Sequence, residues 1–261
     1  MTMLHSMPTT GERPHVRRIK EADLRWALAE GWKDFREKRG DVIVLALIYP
    51  LVGLIAALMA FNGKLLPILF PLVTGLSILG PAVASGFYEI ARRREAGLEA
   101  SWRHFLDPLR RPGRGGLAVL TAGLAVLFVL WLAVAWLIYS ATMGALPPTG
   151  LMDFMGQLFT TPQGWAVIVL GYAVGLAFAI ATLAASLVSF PMMVDKPVDP
   201  VTAIETSVHA MMENPMVTAQ WGLRVAALLV LGCIPAFIGL AVVLPVLGYA
   251  TWHLYTRLIT R

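Results

Sequence analysis

Few side chains in this sequence could do chemistry, and most of them stand at the ends of long apolar runs. The five histidines are His5, His15, His104, His209 and His253, and the one cysteine is Cys233. A single cysteine excludes an internal disulfide and a cysteine-cluster metal site. A haem–copper centre needs several imidazoles facing one another inside a bilayer. His5 and His15 lie near the N-terminus and the other three lie beside charged segments, so an oxidase centre is excluded. Glu205, His209 and Glu213 recur at i, i+4 and i+8 on one helical face. They could approach a divalent cation, but the spacing offers no fourth ligand. Favourable i,i+4 pairs on a solvated face account for the same pattern. No metal and no cofactor is expected.

Three further places hold polar groups against an apolar run. Glu89 is followed by Arg92 and Arg93. A buried acid there could relay protons; pairing with either arginine is the plainer expectation. Asp195, Lys196 and Asp199 stand where the run Phe154 to Val194 ends. Asp195 could gate an inner vestibule, whereas Asp199 before Pro200 has the form of a helix N-cap. His253 lies between Trp252 and Tyr255. It could ligate haem, but Trp and Tyr at the end of an apolar run are expected to anchor in the headgroup layer. No phosphate-binding glycine loop, zinc-protease helix or nucleophile elbow is present, so enzymatic activity is not expected.

The elements that must position these groups follow from composition. Of 261 residues, 57% are hydrophobic and 14% charged, with a mean hydropathy of +0.70. A soluble domain carries roughly 25% charge. Too few charges remain to cover a water-facing surface, which excludes a soluble globular chain, a disordered one and a nucleic-acid binder. The fold class expected is all-α: a polytopic membrane bundle of six spans, at about 42–63, 65–88, 115–140, 165–193, 217–237 and 239–258. A span needs about 20 apolar residues. The uncharged run Val225 to Thr256 is short for two, but Arg224 can snorkel and let the fifth span begin near Val217. Pro235 and Gly239 then supply a turn. One long broken helix, giving five spans, is the alternative.

The 21 Lys and Arg against 16 Asp and Glu fall on one side of this arrangement. Arg13 to Arg39, Arg92 to Arg114, Lys196, Arg224, Arg257 and Arg261 all flank the same ends of the spans, and Lys64 alone lies opposite. By the positive-inside rule both termini are cytoplasmic, which requires an even number of spans. Residues 1–20 are expected to be a mobile cytoplasmic tail, without the apolar core of a signal peptide, and 21–261 a single membrane domain.

Three inner-side stretches look alike. Gly31-Trp32-x-x-Phe35, Ser101-Trp102-x-x-Phe105 and Ser207-Val208-x-x-Met211 align so that Lys33, Arg103 and His209 share a column. Each precedes a pair of spans whose second member carries a proline, Pro81, Pro191 or Pro245. The expected unit is an amphipathic helix in the inner headgroup layer feeding a helical hairpin, repeated three times in parallel. In the fourth span Gly171, Gly175 and Ala179 form a small-residue stripe that favours close packing. It is expected to be central in the bundle, with a homo-oligomer interface as the alternative. Thr74, Ser77, Ser85, Thr182 and Ser186 are the polar lining available to a solute path. The outer loop Ala141 to Gly164 places Leu151, Phe154, Met155, Leu158 and Phe159 on one helical face, as a connector on the outer leaflet or a contact for a partner.

Asp23 to Phe35, the stretch from Pro191 to Pro215, and Gly239 to Tyr255 together resemble a bacterial family of predicted integral membrane proteins with a domain of unknown function. The resemblance runs over about residues 15–260. Some members carry a cytochrome c oxidase subunit I label, which the histidine placement here does not support. The resemblance implies a bacterial inner-membrane location and supplies no catalytic residues. The function expected is a non-enzymatic structural or accessory factor, with the bilayer and a membrane-protein partner or a second copy as partners. The alternative is a small-solute facilitator or channel. Reporter fusions after Arg114 and after Arg261 should both read cytoplasmic; an outside reading after Arg261 would remove the six-span topology.

Overall fold

A backbone passing through hydrocarbon must satisfy its own N–H and C=O groups. The computed structural model of this chain does so with helices along nearly its whole length. It describes residues 14–46, 51, 53–55, 58, 66–110, 114–144, 148, 150–235 and 237–260, excluding the side chains of 38–46, 68 and 114. Among these, α1 is Glu21–Ala46, α2 Leu66–Leu76 and α3 Gly80–Glu95, the last two joined by a 3-10 turn at Ser77–Leu79. A second 3-10 turn, Trp102–Leu106, runs into the short α4, Asp107–Arg110. Then follow α5 Arg114–Thr142, α6 Leu151–Thr160, α7 Pro162–Ser186, α8 Ser189–Asp195, α9 Pro200–Glu213, α10 Pro215–Cys233 and α11 Leu240–Leu258. The only β pairing among the described residues is the isolated bridge Val16–Ile259.

Four helical segments among the described residues are long and apolar enough to cross a membrane: Leu69–Glu95, Gly115–Thr142, Pro162–Asp195 and Pro215–Cys233. They coincide with the second to fifth expected spans. The second extends past residue 88 to Glu95, because helix continues through Arg92, Arg93 and Arg94. Most of the first expected span lies outside the described residues. The sixth forms a helix, α11, but its last turns carry Tyr249, Thr251, Trp252, His253, Tyr255 and Arg257, and it is not among the four. Between α10 and α11 the chain turns at 234–239, with Phe237 in the left-handed region at φ 67°. The two helices pack as a hairpin, Gly232 lying against Leu240 and Val243, rather than forming one broken helix.

The core does not sit midway along the spans. Only 22, 22, 6 and 17% of the four apolar windows is buried within the protein. Apart from Met143 at the far end of α5, the fully buried large side chains gather instead at the basic end: Leu24 of α1, Ile90 of α3, Phe190 and Met192 of α8, Trp221 of α10, Tyr249, Trp252, Leu254, Tyr255 and Leu258 of α11, and Ile259 just after it. Higher in the bundle, Trp131 of α5 donates to the Pro71 carbonyl of α2 at 2.8 Å and packs against Phe178 of α7.

α1 differs from the expected in-plane helix. It runs without interruption from Glu21 to Ala46, and its first half packs along α11. The two run antiparallel: Gly31 meets Val246 and Ala250, while Trp26 one turn earlier meets Arg257. The contact is close because small residues allow it. A Cβ on Gly31 would lie 2.7 Å from the Ala250 nitrogen and 2.8 Å from the Val246 oxygen. On the other side of α11, a Cβ on Gly248 would lie 2.7 Å from that of Phe87.

The two ends of the chain meet. Arg17 N–H donates to Leu258 O at 2.8 Å and Thr260 N–H to His15 O at 3.1 Å. Asn214, which separates α9 from α10, accepts from Ile19 N–H at 2.8 Å and donates to Arg17 O at 3.1 Å. Residues 15–20, expected to belong to a mobile tail, are held by hydrogen bonds of their backbone; residues 1–13 lie outside the described residues.

Gly31→Ala would force the α1–α11 contact apart at backbone atoms that cannot rotate away. Overpacking of this kind costs about 1–3 kcal/mol. The variant should melt at lower temperature in detergent, whereas Gly123→Ala, where a Cβ meets open space, should melt like the parent.

Candidate functional site

The inner end of α11 is where the polar groups converge. Three of its side chains, within four residues, each reach an acid on a different helix. Trp252 Nε1 donates to Glu95 Oε2 of α3 at 3.1 Å. His253 Nε2 lies 2.8 Å from Asp34 Oδ2 of α1. The Tyr255 hydroxyl donates to Asp195 Oδ2 of α8 at 2.8 Å. The helical advance of 100° per residue points successive side chains in different directions, so one turn of α11 binds three neighbours. Trp26 closes over this turn, with its ring edge-on to His253 at 5.6 Å and the Arg257 guanidinium 4.0 Å above it.

The arginines that end α3 pair with one of these acids, Asp34, and with others beside it. Arg94 donates to Asp34 Oδ1 at 2.6 Å and also binds Glu37. Glu89 is fully buried. Arg92 grips it in bidentate fashion, Nε to Oε2 at 2.9 Å and Nη2 to Oε1 at 3.0 Å. Arg93 Nη1 lies 3.8 Å from the same carboxylate and 3.5 Å from Asp107. Its Nε donates to Glu99 O. A planar guanidinium supplies two parallel donors to a carboxylate, which makes such a buried pair tolerable. The geometry thus ties four helices at the basic ends of two spans and pairs Glu89 with both arginines.

The other expected site residues are dispersed. Asp199 caps α9, accepting from Val201 and Thr202 N–H at 3.0 and 3.2 Å. His209 and Glu205 are exposed on the outer face of α9 beside Val208 and Met212. Glu213 binds Arg18 at 3.2 Å. His104 closes a capping box with Ser101. No group of three or more His, Cys, Asp or Glu among the described residues is placed to hold a metal ion. Trp252 and Tyr255 are not headgroup anchors as expected; both are fully buried in protein, because acids from neighbouring helices bind their polar atoms. The fourth span is not central. Its apolar window is 6% buried. Of the small-residue stripe, Gly175 packs against Trp131, Gly171 meets open space and Ala179 is exposed. Asp34 and Glu95 were not singled out from the sequence. Asp34 had a signal: Ala27, Gly31 and Asp34 share a helical face, and an acid on a small-residue face is set to be buried.

The double grip on Glu89 makes a non-additive prediction. Arg92→Gln or Arg93→Gln alone leaves one cation on the carboxylate. The double variant strands a buried charge, a loss of about 3–5 kcal/mol where a partner is fully removed. Its drop in detergent melting temperature should exceed the sum of the singles, and adding Glu89→Gln should restore most of it. Simple additivity would refute the shared pairing.

No curated protein and no solved structure matches the chain. Residues 69–195 match the family model described as predicted integral membrane protein (DUF2189). The matched stretch begins with the α2–α3 span and ends with the α7–α8 span. Asp23 to Phe35 and Gly239 to Tyr255, which also carry the resemblance, fall outside it. From Leu69 to Asp195, through Glu89 and the arginines that hold it, the chain is similar to the DUF2189 model of predicted integral membrane proteins.

Proposed function

We propose that the protein is a non-enzymatic, six-span protein of a bacterial inner membrane that serves as a structural or accessory factor for another membrane complex. The observation that carries this reading concerns the hydroxyls available to a solute path. Thr74 donates to Phe70 O at 2.8 Å, Ser85 to Pro81 O at 3.3 Å, Thr182 to Phe178 O at 2.8 Å and Ser186 to Thr182 O at 2.6 Å. Each bonds the carbonyl one turn back on its own helix. A facilitator needs such groups turned toward a shared path. Glu89, an acid within the Leu69–Glu95 segment, is already held by two arginines.

Topology and the outer loop support the same reading. The pairing of residues 15–17 with 258–260 supports an even number of crossings, which would bring both segments to one side. The basic composition of that side favours the cytoplasm. On the opposite side α6 leaves Leu151, Met152 and Phe159 exposed, Met152 at 85%. An apolar surface of this kind beside α7 offers a contact to a partner within the outer leaflet.

Purified protein in vesicles should leave glycerol and urea permeability at the value of protein-free vesicles. A photo-crosslinking side chain at Met152 should yield an adduct with another membrane protein in native membranes. Solute flux that scales with protein content would replace the accessory reading with the facilitator.

A further inference from the structure

Trp32–Lys33, Trp102–Arg103 and Val208–His209 share more than a sequence column. In each, the preceding small residue or the apolar residue four positions later turns inward, and the pair between them turns outward. Gly31 meets α11, and Phe35 is buried. Phe105 stacks on Phe87 at 5.0 Å. Ser207 is buried and its Oγ accepts from Val188 N–H at 3.1 Å, at the break between α7 and α8. Trp32 is 47% exposed, Trp102 51% and Val208 36%. Lys33, Arg103 and His209 are exposed beside them.

Each pair is held near the basic end of a span. Asp34 is fixed to Arg94, at the end of α3. Asp107, four residues after Arg103, is fixed to Arg93. Ser207 is fixed to Val188, two turns from the end of α8. Here the apolar helices meet the basic residues of the chain, the level at which headgroups are expected. Two shallow grooves open there. One is lined by Ala29, Trp32, Lys33, Arg36 and Glu37, the other by Ile204, Glu205, Val208, His209 and Met212. An apolar wall beside a cation matches an amphiphile with a negative head.

We propose that the Trp32–Lys33–Arg36 groove and the Trp102–Arg103 turn bind anionic phospholipid headgroups of the inner leaflet. The indole rings pack on the glycerol and upper acyl region, and Lys33, Arg36 and Arg103 contact the phosphate charge. The Val208–His209 groove supplies the same apolar wall with a weaker cation beside Glu205, so charge selectivity resides in the first two. Lys33 itself lies 3.7 Å from Glu30 at the surface, and Arg92, Arg93, Arg94, Arg18 and Arg224 are engaged by other acids of the protein.

The test uses the full chain in nanodiscs and measures competition between spin-labelled phosphatidylglycerol and phosphatidylcholine at the protein surface. The parent should enrich phosphatidylglycerol by about five-fold per engaged cation. At low salt Lys33→Gln with Arg103→Gln should lower the ratio about five-fold for each cation removed, leaving the share of Arg36, and Lys33→Arg with Arg103→Lys should retain it. Trp32→Ala with Trp102→Ala should weaken binding of both lipids without changing their ratio. All four positions are exposed, and an unchanged melting temperature separates lost binding from lost folding. A parent ratio near one, or full selectivity in the glutamine variant, overturns the proposal. Neither result would bear on whether the protein conducts solutes or serves a complex.

Discussion

One turn of one helix holds the inner end of this bundle together. Trp252, His253 and Tyr255 bind Glu95, Asp34 and Asp195, so that α11 is tied to α3, α1 and α8 through side chains far apart in sequence. In hydrocarbon the hydrophobic effect does not drive helices together, because lipid tails are as apolar as leucine. Close packing and polar contacts must do it instead. The protein concentrates both at the same level: Gly31 and Gly248 let backbones approach, and the acid pairs fix the register. The spans above can then remain largely lipid-facing, as the low burial of their apolar windows shows.

The basic residues serve two roles that composition alone cannot separate. A cation anywhere on the inner side biases orientation in the same way. In the folded protein they divide. Those that end α3 are turned onto Glu89, Asp34, Glu37 and Asp107, and removing them would strand the buried carboxylates of Glu89 and Asp34. Lys33, Arg36 and Arg103 are turned outward.

The local parts of this fold were legible in the sequence. Apolar runs placed four spans, Asp199-Pro200 placed the start of α9, and Asn214-Pro215 its end, because each signal is contained within a few residues. Pro235 and Gly239 marked the turn between α10 and α11. The misreadings all concern partners distant in the chain. Trp252 and Tyr255 have the pattern of headgroup anchors, and only the arrival of Glu95 and Asp195, 157 and 60 residues away, makes them core. The stripe of Gly171, Gly175 and Ala179 has the pattern of a packed face, yet Trp131 fills only its middle position. Small residues permit close approach without summoning a partner. Residues 14–20 lack an apolar pattern of their own, and are ordered by Asn214 and the last residues of the chain.

The aligned motif of small residue, apolar residue, cation and, four positions on, a second apolar residue has a geometric logic independent of its origin. Around an α-helix, as at Gly31 and Ser207, positions i and i+4 are 40° apart, i+2 lies opposite them and i+1 to one side; Trp102 and Arg103 are turned outward by a 3-10 turn instead. A small residue at i therefore brings the helix close to its neighbour, an apolar residue at i+4 seals that contact, and the intervening pair must face outward. At the level where spans meet headgroups, outward means into the interfacial layer, which receives a Trp and a cation better than any other pair. The same side chains that read as amphipathic linkers thus record the depth at which the inner layer sits. That depth is set from within, by Asp34 on Arg94, Asp107 on Arg93 and Ser207 on Val188.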